Sequence, residues 1–330
     1  MEPAYLNTNG AVQKEFKTAH HKFNIMAVSS EKTLAAGIPV FQRTNALKHC
    51  LESLQNSVVE HIIIADNGHT DDRTSLYEQD WTFELTVLDL DYDAGIGRCR
   101  AAIVDKLEED HLLVMDNDMT IPSIDHLDIL QRVLDARPDL GGIGATLVEG
   151  NRLRYGCTNL HEEDLLFGNK AIVHDIRTEP EIEWVEEEIP VVEFDKIAQA
   201  AIIRKDCLAE YSWDPRLPVM EHLDFFLNHY HNSDWNFAIT PNAVFNHHKN
   251  IDQEYRMRIR SSGREYQKKK KQALSLFEKK WGYHCMEYGH KPFWIDSKNV
   301  STLETGYHVT QRYIPLKYLL PVKDIIQRLS

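Results

Sequence analysis

The sequence predicts an α/β fold: a mostly parallel sheet flanked by helices, with an antiparallel portion later in the chain and a helical C-terminal extension. Two observations lead to this prediction. Short apolar, β-branched runs alternate with segments of helical periodicity between residues 35 and 148. Several of these runs stop abruptly at Asp, Asn or Gly, as strands of an open parallel sheet do where they meet a ligand site.

The predicted elements follow one another in the strand-helix order that parallel sheets require, because each crossover between parallel strands needs a helix or a long connection. The pattern loosens between residues 150 and 200, which contain polar loops, an acidic block and one run typical of an edge or antiparallel strand. We predict strands at residues 35–41, 61–65, 83–90, 112–115, 141–148, 189–194, 198–203 and 237–245, and helices at 45–54, 98–107, 124–136, 221–230 and 252–281.

The length of 330 residues suffices for one large α/β domain with additions. We expect a polar extension at residues 1–32, the α/β domain at 33–250, and a basic helix with a C-terminal extension at 251–330. The net charge of −14 argues against a general nucleic-acid binder. The segment from Arg256 to Lys280 is nevertheless basic, which indicates either a solvated helix face, the commoner case, or a contact for phosphates or an anionic membrane surface.

The cysteine pattern and the hydropathy predict a cytoplasmic protein. The five cysteines have no C-x-x-C or other metal-ligand spacing and leave one unpaired in any disulfide scheme, so reduced thiols fit best. The first residues lack the basic and apolar pattern of a signal peptide, and no segment approaches the length of a membrane span. The composition is also compatible with a peripheral contact between the protein and a membrane.

Residues 112–118, Leu-Leu-Val-Met-Asp-Asn-Asp, are the most informative part of the chain. The apolar run predicts a buried strand, and the alternation of side chains places Asp116 and Asp118 on the same side of its end, close enough to share one divalent cation. Two alternatives compete with this metal site. Asp and Asn also form ordinary turns after strands, and Asp116 to Thr120 fits the D-x-D-x-T signature of the haloacid-dehalogenase phosphatases.

The phosphatase alternative disagrees with the order of the chain. In those enzymes the first Asp is a nucleophile near the start of the chain, and a later acidic cluster such as G-D-x-x-x-D follows. This chain places two β-α units ahead of Asp116 and contains no G-D-x-x-x-D. We therefore keep the metal site as the main hypothesis for Asp116 and Asp118.

Two further polar groups lie at the ends of predicted elements. Asp66 ends a β-branched strand and precedes Asn-Gly, so it either accepts hydrogen bonds from a nucleobase or ribose or belongs to a turn before a helix. Gly95, Arg98 and Arg100 open the next helix, where close backbone approach and positive charge would suit a phosphate or ribose. The third glycine of the dinucleotide-binding pattern G-x-G-x-x-G is replaced by Arg100, which argues against a dinucleotide site.

Two later groups contain titratable side chains. Glu221, His222 and Asp224 lie within four residues beside an aromatic pair, so one of them could be tuned as a general base, or the acidic residues could belong to an ordinary helix start. His247 and His248 close the last predicted strand. One imidazole there suits a divalent metal already held by a carboxylate, whereas a histidine pair is usually surface.

Taken in order, four blocks of this chain resemble the successive blocks of inverting GT-A glycosyltransferases, the large family 2 in particular. A distal block followed by a strand that ends in histidine is similar to relatives of the ganglioside GalNAc transferases. The resemblance covers residues 35–250 and lies in the order and spacing of the blocks. The four blocks are IPVFQRTNALKHCLESL, IIIADNGHTDD, AGIGRCRAAI and LLVMDND, and the distal block is WDPRLPVMEHLDFF.

The resemblance implies a role for each matching position. Residues 33–150 would form the nucleotide-sugar half and residues 151–250 the acceptor half. Asp66 would pair with the base, and Asp116 with Asp118 would bind the metal ion. The positions implied in donor binding are Pro39, Arg43, Asp66, Gly95, Arg98 or Arg100, Asp116 and Asn117.

The distal part of the resemblance implies the remaining ligands and the base. His247 or His248 would complete the metal site, and the segment from Glu221 to Asp224 would supply the base. Many family members carry Glu-Asp, with the second residue as the base, and here His222 occupies that place. Which of the three titratable groups removes the proton therefore stays open.

The resemblance implies a metal-dependent inverting hexosyl- or N-acetylhexosaminyltransferase. It would move a sugar from a nucleotide diphosphate sugar, a UDP-sugar by preference, to a hydroxyl of a glycan, lipid or protein. A divalent ion would stabilise the departing diphosphate while a base deprotonates the acceptor. Carboxylate and water ligands favour Mn²⁺ or Mg²⁺, and an imidazole favours Mn²⁺. The alternatives are a retaining transferase of the same fold and a domain that binds a nucleotide sugar or glycan without turnover.

Overall fold

The structure, a computed structural model, describes residues 32–68, 72–150, 152–154, 156–176, 181–248 and 264–288, together with Thr310, Ile314 and Tyr318. Nearly all of the predicted N-terminal extension, and residues 252–263 of the predicted C-terminal helix, lie outside the described residues. None of the helices in the described ranges is long and apolar enough to cross a membrane.

The helices of the described ranges carry the apolar face that packing onto a sheet requires. In the first helix, Leu47, Cys50, Leu51 and Leu54 are all buried and recur at intervals of three and four residues, which places them on one side. The helices are α1 (Thr44–Leu54), α2 (Thr74–Tyr77), α3 (Ile96–Val104), α4 (Asp125–Ala136), α5 (Lys205–Glu210), α6 (Glu221–Asn232) and α7 (Arg264–Trp281).

The strands differ in how much of their surface is covered. All seven residues of the first strand, LAAGIPV, are buried, as expected for a central strand with helices on both faces. The strands are β1 (Leu34–Val40), β2 (His61–Asp66), β3 (Glu84–Asp89), β4 (His111–Val114), β5 (Met119–Thr120), β6 (Leu140–Glu149), β7 (Arg152–Arg154), β8 (Asn159–Asp164), β9 (Lys170–Asp175), β10 (Glu183–Val185), β11 (Ile189–Glu193), β12 (Ala201–Arg204), β13 (Asn236–His247) and β14 (Tyr283–Tyr288).

One large sheet forms the centre, in the order β10-β11-β13-β6-β12-β4-β1-β2-β3, with β5 paired to β13 and β7 to β6. The neighbours β4, β1, β2 and β3 are all parallel. Strand β12 runs antiparallel between β4 and β6, and β13 is parallel to β6 but antiparallel to β11. The predicted α/β fold is confirmed, with a parallel portion followed by an antiparallel one.

Two apolar clusters cover the two faces of this sheet. One contains side chains of α1 and α4, and the other contains side chains of α3 and α6. Helix α3 lies very close to β1, because a Cβ atom on Gly37 would stand only 2.7 Å from Ile103 Cγ2. The close packing of α3 fixes its first turn beside the carboxyl ends of β1 and β2.

A second sheet, in the order β14-β9-β8, was not predicted, since residues 150–200 were expected to be mainly loops. Strands β8 and β9 pair antiparallel, and β14 pairs parallel to β9. Leu160 and Ile172 of this sheet share an apolar cluster with Leu223 and Leu227 of α6 and Phe277 of α7. This cluster attaches the C-terminal helix beside α6.

Candidate active site

The parallel strands end beside a cavity of about 260 Å³. Strand β4 ends at Val114, so Asp116, Asn117 and Asp118 lie where the chain leaves the sheet. Open parallel sheets bind their ligands at this edge. The cavity is lined by Pro39, Val40, Phe41, Arg43, Asn67, Tyr92, Asp93, Gly95, Ile96, Asp116, Asn117, Pro218, Val219, Tyr266 and Lys269.

Arg43 ties the end of β1 to the end of β4. Its guanidinium lies 2.6 Å from an Asp118 carboxylate oxygen and donates to Asn117 Oδ1, also at 2.6 Å. Gln42 and Arg43 both have left-handed backbone conformations, with φ of 93° and 65°. Residues other than glycine adopt this region at a cost, and such strain is concentrated at functional sites.

His247, at the end of β13, lies beside the same aspartate. Its Nε2 is 3.6 Å from Asp118 Oδ2, and its Nδ1 is 2.8 Å from Glu149 Oε1. Burial alone would lower the pKa of His247, but the hydrogen bonds to Asp118 and Glu149 and the negative charges of Asp118 and Asp116 raise it. Burial alone would raise the pKa of Asp118, but His247 and Arg43 hold it well below its usual range.

These side chains fit a divalent cation. A metal-binding histidine commonly donates its other ring N–H to a carboxylate, and Glu149 stands in that position behind His247. In the described part of the chain no three His, Cys, Asp or Glu side chains converge closely enough to hold a metal by themselves. Phosphate oxygens and water would therefore have to complete the shell around whichever of Asp116, Asp118 and His247 bind the ion.

His248 points elsewhere. Its ring Nε2 is 2.8 Å from Thr120 Oγ1, in an exposed position, and its backbone N–H donates to the Asp118 carbonyl. Of the two histidines left open by the sequence, the geometry favours His247 as the metal ligand.

Arg100 connects the two sides of the site. Its side chain is only 2% exposed and lies 3.4 Å from Asp116 Oδ1 and 3.2 Å from Glu221 Oε1. The guanidinium also lies 5.3 Å from the centre of the Trp213 ring, within the range of a cation–π contact. Arg98, the other arginine left open by the sequence, is half exposed, pairs with Asp91 and does not line the cavity.

Glu221 is the first residue of α6 and is 4% exposed. Complete burial raises its pKa, and the charge of Arg100 opposes this shift in part. The residue before it, Met220, has φ of 70°, so the helix begins directly from a left-handed residue. Glu221 is therefore a buried carboxylate held near the cavity by one cation.

The other two candidates for the base have different surroundings. His222 is half-buried, its Nε2 lies 2.8 Å from the carbonyl oxygen of Ile197, and desolvation holds the pKa of its ring well below 6.5. Asp224 is fully buried and already accepts hydrogen bonds from other side chains, at 2.5 Å from Tyr211 and 2.8 Å from Trp281. None of the three candidate side chains lines the cavity.

Asp66 also lies behind the cavity wall. Its carboxylate is 3.0 Å from Arg73 Nη1 and accepts a hydrogen bond from Tyr77 at 2.6 Å. The following residue, Asn67, does line the cavity, and its amide donates to Val40 and Cys99. The predicted pairing of Asp66 with a nucleobase stays a prediction. At this strand end, the polar side chain that lines the cavity is that of Asn67.

The glycines at the start of α3 make room for protein instead of phosphate. Gly95 has φ of 94°, and a Cβ atom there would lie 2.6 Å from Pro218 Cα. A Cβ atom on Gly97 would lie 2.6 Å from the carbonyl oxygen of Asp214 and closer still to that of Leu217. Because both neighbours are backbone, the glycines let the loop before α6 pack against α3, while Gly95 also lines the cavity.

The sequence reasoning missed four lining residues with aromatic or cationic side chains. Phe41 and Tyr92 form an aromatic pair with ring centres 5.4 Å apart, and Tyr92 is 55% exposed. Tyr266 and Lys269 come from α7, more than 140 positions after the aspartates. The aromatic residues follow predicted strands, which is a usable signal, but nothing local marks the two residues of α7.

Residues 36–166 match the model of glycosyl transferase family 2. The matched segment contains Asp116, Asn117 and Asp118 and ends well before α6. The resemblance predicted from the sequence is confirmed over this segment, which is less than half of the chain. No curated protein matches the chain by sequence.

Several solved glycosyltransferase structures are similar to this chain. S. aureus TarS 1-349 has a TM-score of 0.46 at 14% identity, over 76% of this chain and 72% of that one. GalNAc-T7 with UDP, GalNAc and Mn²⁺ has a TM-score of 0.49 at 12% identity, over 67% of this chain and 44% of that one. Mannosyltransferase PcManGT from Pyrobaculum calidifontis, with GDP-Man and Mn²⁺, has a TM-score of 0.46 at 11% identity, over 69% of this chain and 61% of that one. All three TM-scores lie below 0.5.

Proposed function

We propose that this chain is a metal-dependent inverting glycosyltransferase that takes a sugar from a UDP-sugar. The observation that carries the proposal is the position of the D-x-D aspartates in the family 2 segment. They lie at the carboxyl end of β4 beside the cavity, and Arg100 joins Asp116 to the buried carboxylate of Glu221. A donor-site carboxylate and the candidate base thus both contact the guanidinium of Arg100.

The cavity supplies contacts for a nucleoside diphosphate. Phe41 and Tyr92 offer aromatic surface for a base, and Asn67 offers an amide beside them. Asp116 and Asn117 line the same cavity and adjoin the proposed metal site. A ligand with a planar apolar part and an anionic part matches these two kinds of contact.

Asp116, Asp118 and His247 would hold Mn²⁺ or Mg²⁺, with Glu149 fixing the imidazole of His247. The bound ion would offset the negative charge that develops on the departing diphosphate. Arg43, next to Asp118, would add positive charge at the same place. A site of oxygen ligands with one imidazole suits Mn²⁺ at least as well as Mg²⁺.

Glu221 is our assignment for the base. It is a carboxylate whose burial strengthens it as a proton acceptor, and its one observed charged partner, Arg100, also contacts the donor side. His222 is engaged with a backbone carbonyl, and Asp224 is engaged by side chains of α7. A base that takes the acceptor proton while the diphosphate leaves gives a single displacement with inversion.

The test is a screen of nucleotide sugars for Mn²⁺-dependent thermal stabilisation, followed by transfer assays on the donors that bind. We expect UDP and a UDP-sugar to raise the melting temperature in Mn²⁺ and not in chelator. Proton NMR of the product should show an inverted anomeric configuration. Retention of configuration would favour the retaining alternative, and binding without turnover across acceptors would favour a nucleotide-sugar-binding domain.

The acceptor and the location of the protein belong to the same proposal. Lys268, Lys270 and Lys271 on the outer side of α7 are exposed and could approach an anionic membrane that carries the acceptor. Binding to phosphatidylserine vesicles at low salt should fall when these lysines are replaced by Ala. If the wild-type protein does not bind such vesicles, this part of the proposal is wrong. We keep the cytoplasmic location as a proposal, with which the four buried free cysteines of the described residues are compatible.

A further inference from the structure

We propose that the C-terminal helix α7 is part of the donor site: Lys269 binds the diphosphate of the donor, and Asp224 is the buried anchor that positions this helix. The inference rests on the proposed function and adds to it a phosphate-binding residue from outside the family 2 segment. It also gives Asp224 a role as a positioning residue instead of a base.

The anchor lies at the C-terminal end of α7. Lys280 Nζ is 2.7 Å from Asp224 Oδ1 and also bonds to the Tyr211 hydroxyl, while Trp281 Nε1 donates to Asp224 at 2.8 Å. Asp224 is 0% exposed, so its charge is balanced inside the protein by the lysine and two neutral donors. Removing one partner of such a buried pair is strongly destabilising, which makes the contact a firm attachment.

The inner face of α7 runs from this anchor to the cavity. Positions three and four residues apart share one side of a helix, and two of them are buried: Ala273 at 1% exposure and Phe277 at 2%. With a rise of 1.5 Å per residue, the eleven steps from Lys269 to Lys280 span about 16 Å. The same face therefore carries Lys269 and Tyr266 to the cavity, which both of them line.

Lys269 adds a cation to the cavity wall. Its ammonium group lies 2.5 Å from an Asp93 carboxylate oxygen and donates to the Asp93 backbone carbonyl. Of the described lining residues only Arg43 is also cationic, and its guanidinium is held by Asp118 and Asn117. The Asp93 side chain is 39% exposed, so a ligand that enters the cavity can compete for the lysine.

The class of ligand follows from this charge balance. A single carboxylate at a solvated rim is a weak partner for an ammonium group, because exposed ion pairs contribute little. A diphosphate has several oxygens and more than one negative charge, and hydrogen bonds between charged groups are roughly twice as strong as neutral ones. Lys269 would therefore exchange Asp93 for the diphosphate when the donor binds.

The experiment measures affinity for UDP and for uridine by calorimetry in Mn²⁺. Lys269→Ala should weaken UDP binding roughly tenfold, because a charged hydrogen bond is lost, and should leave uridine binding nearly unchanged. Lys269→Arg should keep most of the affinity for UDP. Lys279→Ala, at an exposed position of the same helix, is the matched control and should bind UDP as the wild type does.

A double-mutant cycle tests the anchor. Asp224→Asn should also weaken UDP binding, and this effect should disappear in the Lys269→Ala background if Asp224 acts through α7. Lys280→Met serves as the second variant if Asp224→Asn does not fold. Equal UDP affinity of wild type and Lys269→Ala would overturn the role of Lys269, and an Asp224→Asn effect that persists undiminished in the Lys269→Ala background would overturn the anchor. Wild-type protein that binds no UDP in Mn²⁺ would instead overturn the proposed donor.

Discussion

Glu221→Gln is the sharpest test of the active site, because the amide keeps the size of the side chain and cannot accept a proton as a base. The wild-type carboxylate is 4% exposed and 3.2 Å from Arg100. Complete burial raises its pKa above the ordinary value of 4.5, and Arg100 opposes this shift without cancelling it. The variant therefore removes a buried carboxyl group whose raised pKa makes its ionised form a stronger base than an exposed carboxylate.

The expected loss of rate in Glu221→Gln follows from the role of Glu221 as a general base. A positioned general base contributes about 10²- to 10⁴-fold in rate, or about 3 to 5 kcal/mol of transition-state stabilisation. The affinity for UDP should change little, because Glu221 does not line the cavity. A loss of rate without a loss of donor binding separates a base from a residue that shapes the donor site.

The assay is initial-rate transfer at saturating donor as a function of pH. The working base is the carboxylate, so the wild-type rate should rise as the pH increases through the raised pKa of Glu221, and this limb should be missing in Glu221→Gln. Glu210→Gln, on the exposed end of α5, is the matched carboxylate-to-amide control. Glu221→Gln protein that keeps more than about a tenth of the wild-type rate would refute the assignment.

Three further predictions address the metal site, the loop before α6 and the core. Asp118→Asn should abolish Mn²⁺-dependent transfer while the circular dichroism spectrum stays native, and full activity of this variant in chelator would contradict the metal site. Gly97→Ala should lower the free energy of unfolding by about 1 to 3 kcal/mol, because its methyl group would press on the backbone of Leu217; urea denaturation measures this. Burial and then the charge of Arg204 lower the pKa of His111 from 6.5 to about 4, so stability present above pH 6.5 should be lost as the pH falls towards 4. The shift corresponds to about 3 kcal/mol, and denaturation of His111→Gln should show a correspondingly weaker pH dependence.

The sequence was most informative where a strand and its ligand site are consecutive. The apolar run before Asp116 and Asp118 predicts both the strand and the place of its end, since an abrupt change from apolar to acidic residues marks the edge of the sheet. The histidine after β13 is likewise at a strand end, although choosing His247 over His248 needed the position of Glu149. Local pattern alone contains no information about such cross-chain contacts.

The sequence was least informative where two distant segments meet. Gly95 and Gly97 suggest a phosphate-binding turn, yet what approaches them most closely is the loop that precedes α6. Glu221 and Asp224 are equivalent in a sequence pattern, being acidic residues three apart in the first turn of a helix. Their surroundings differ because one contacts Arg100 and the other contacts α7.

Strand β12 has a consequence for how the chain can reach its native state. It lies between β4 and β6, so residues 201–204 fill a gap inside the sheet and not at its margin. Until they are in place, β4 and β6 each present an open edge on which other chains could pair, and closing the gap joins strands far apart in sequence, which is slow. The parallel and antiparallel parts of the sheet therefore belong to one folding unit, and a fragment that stops near residue 150 should aggregate where the longer chain folds.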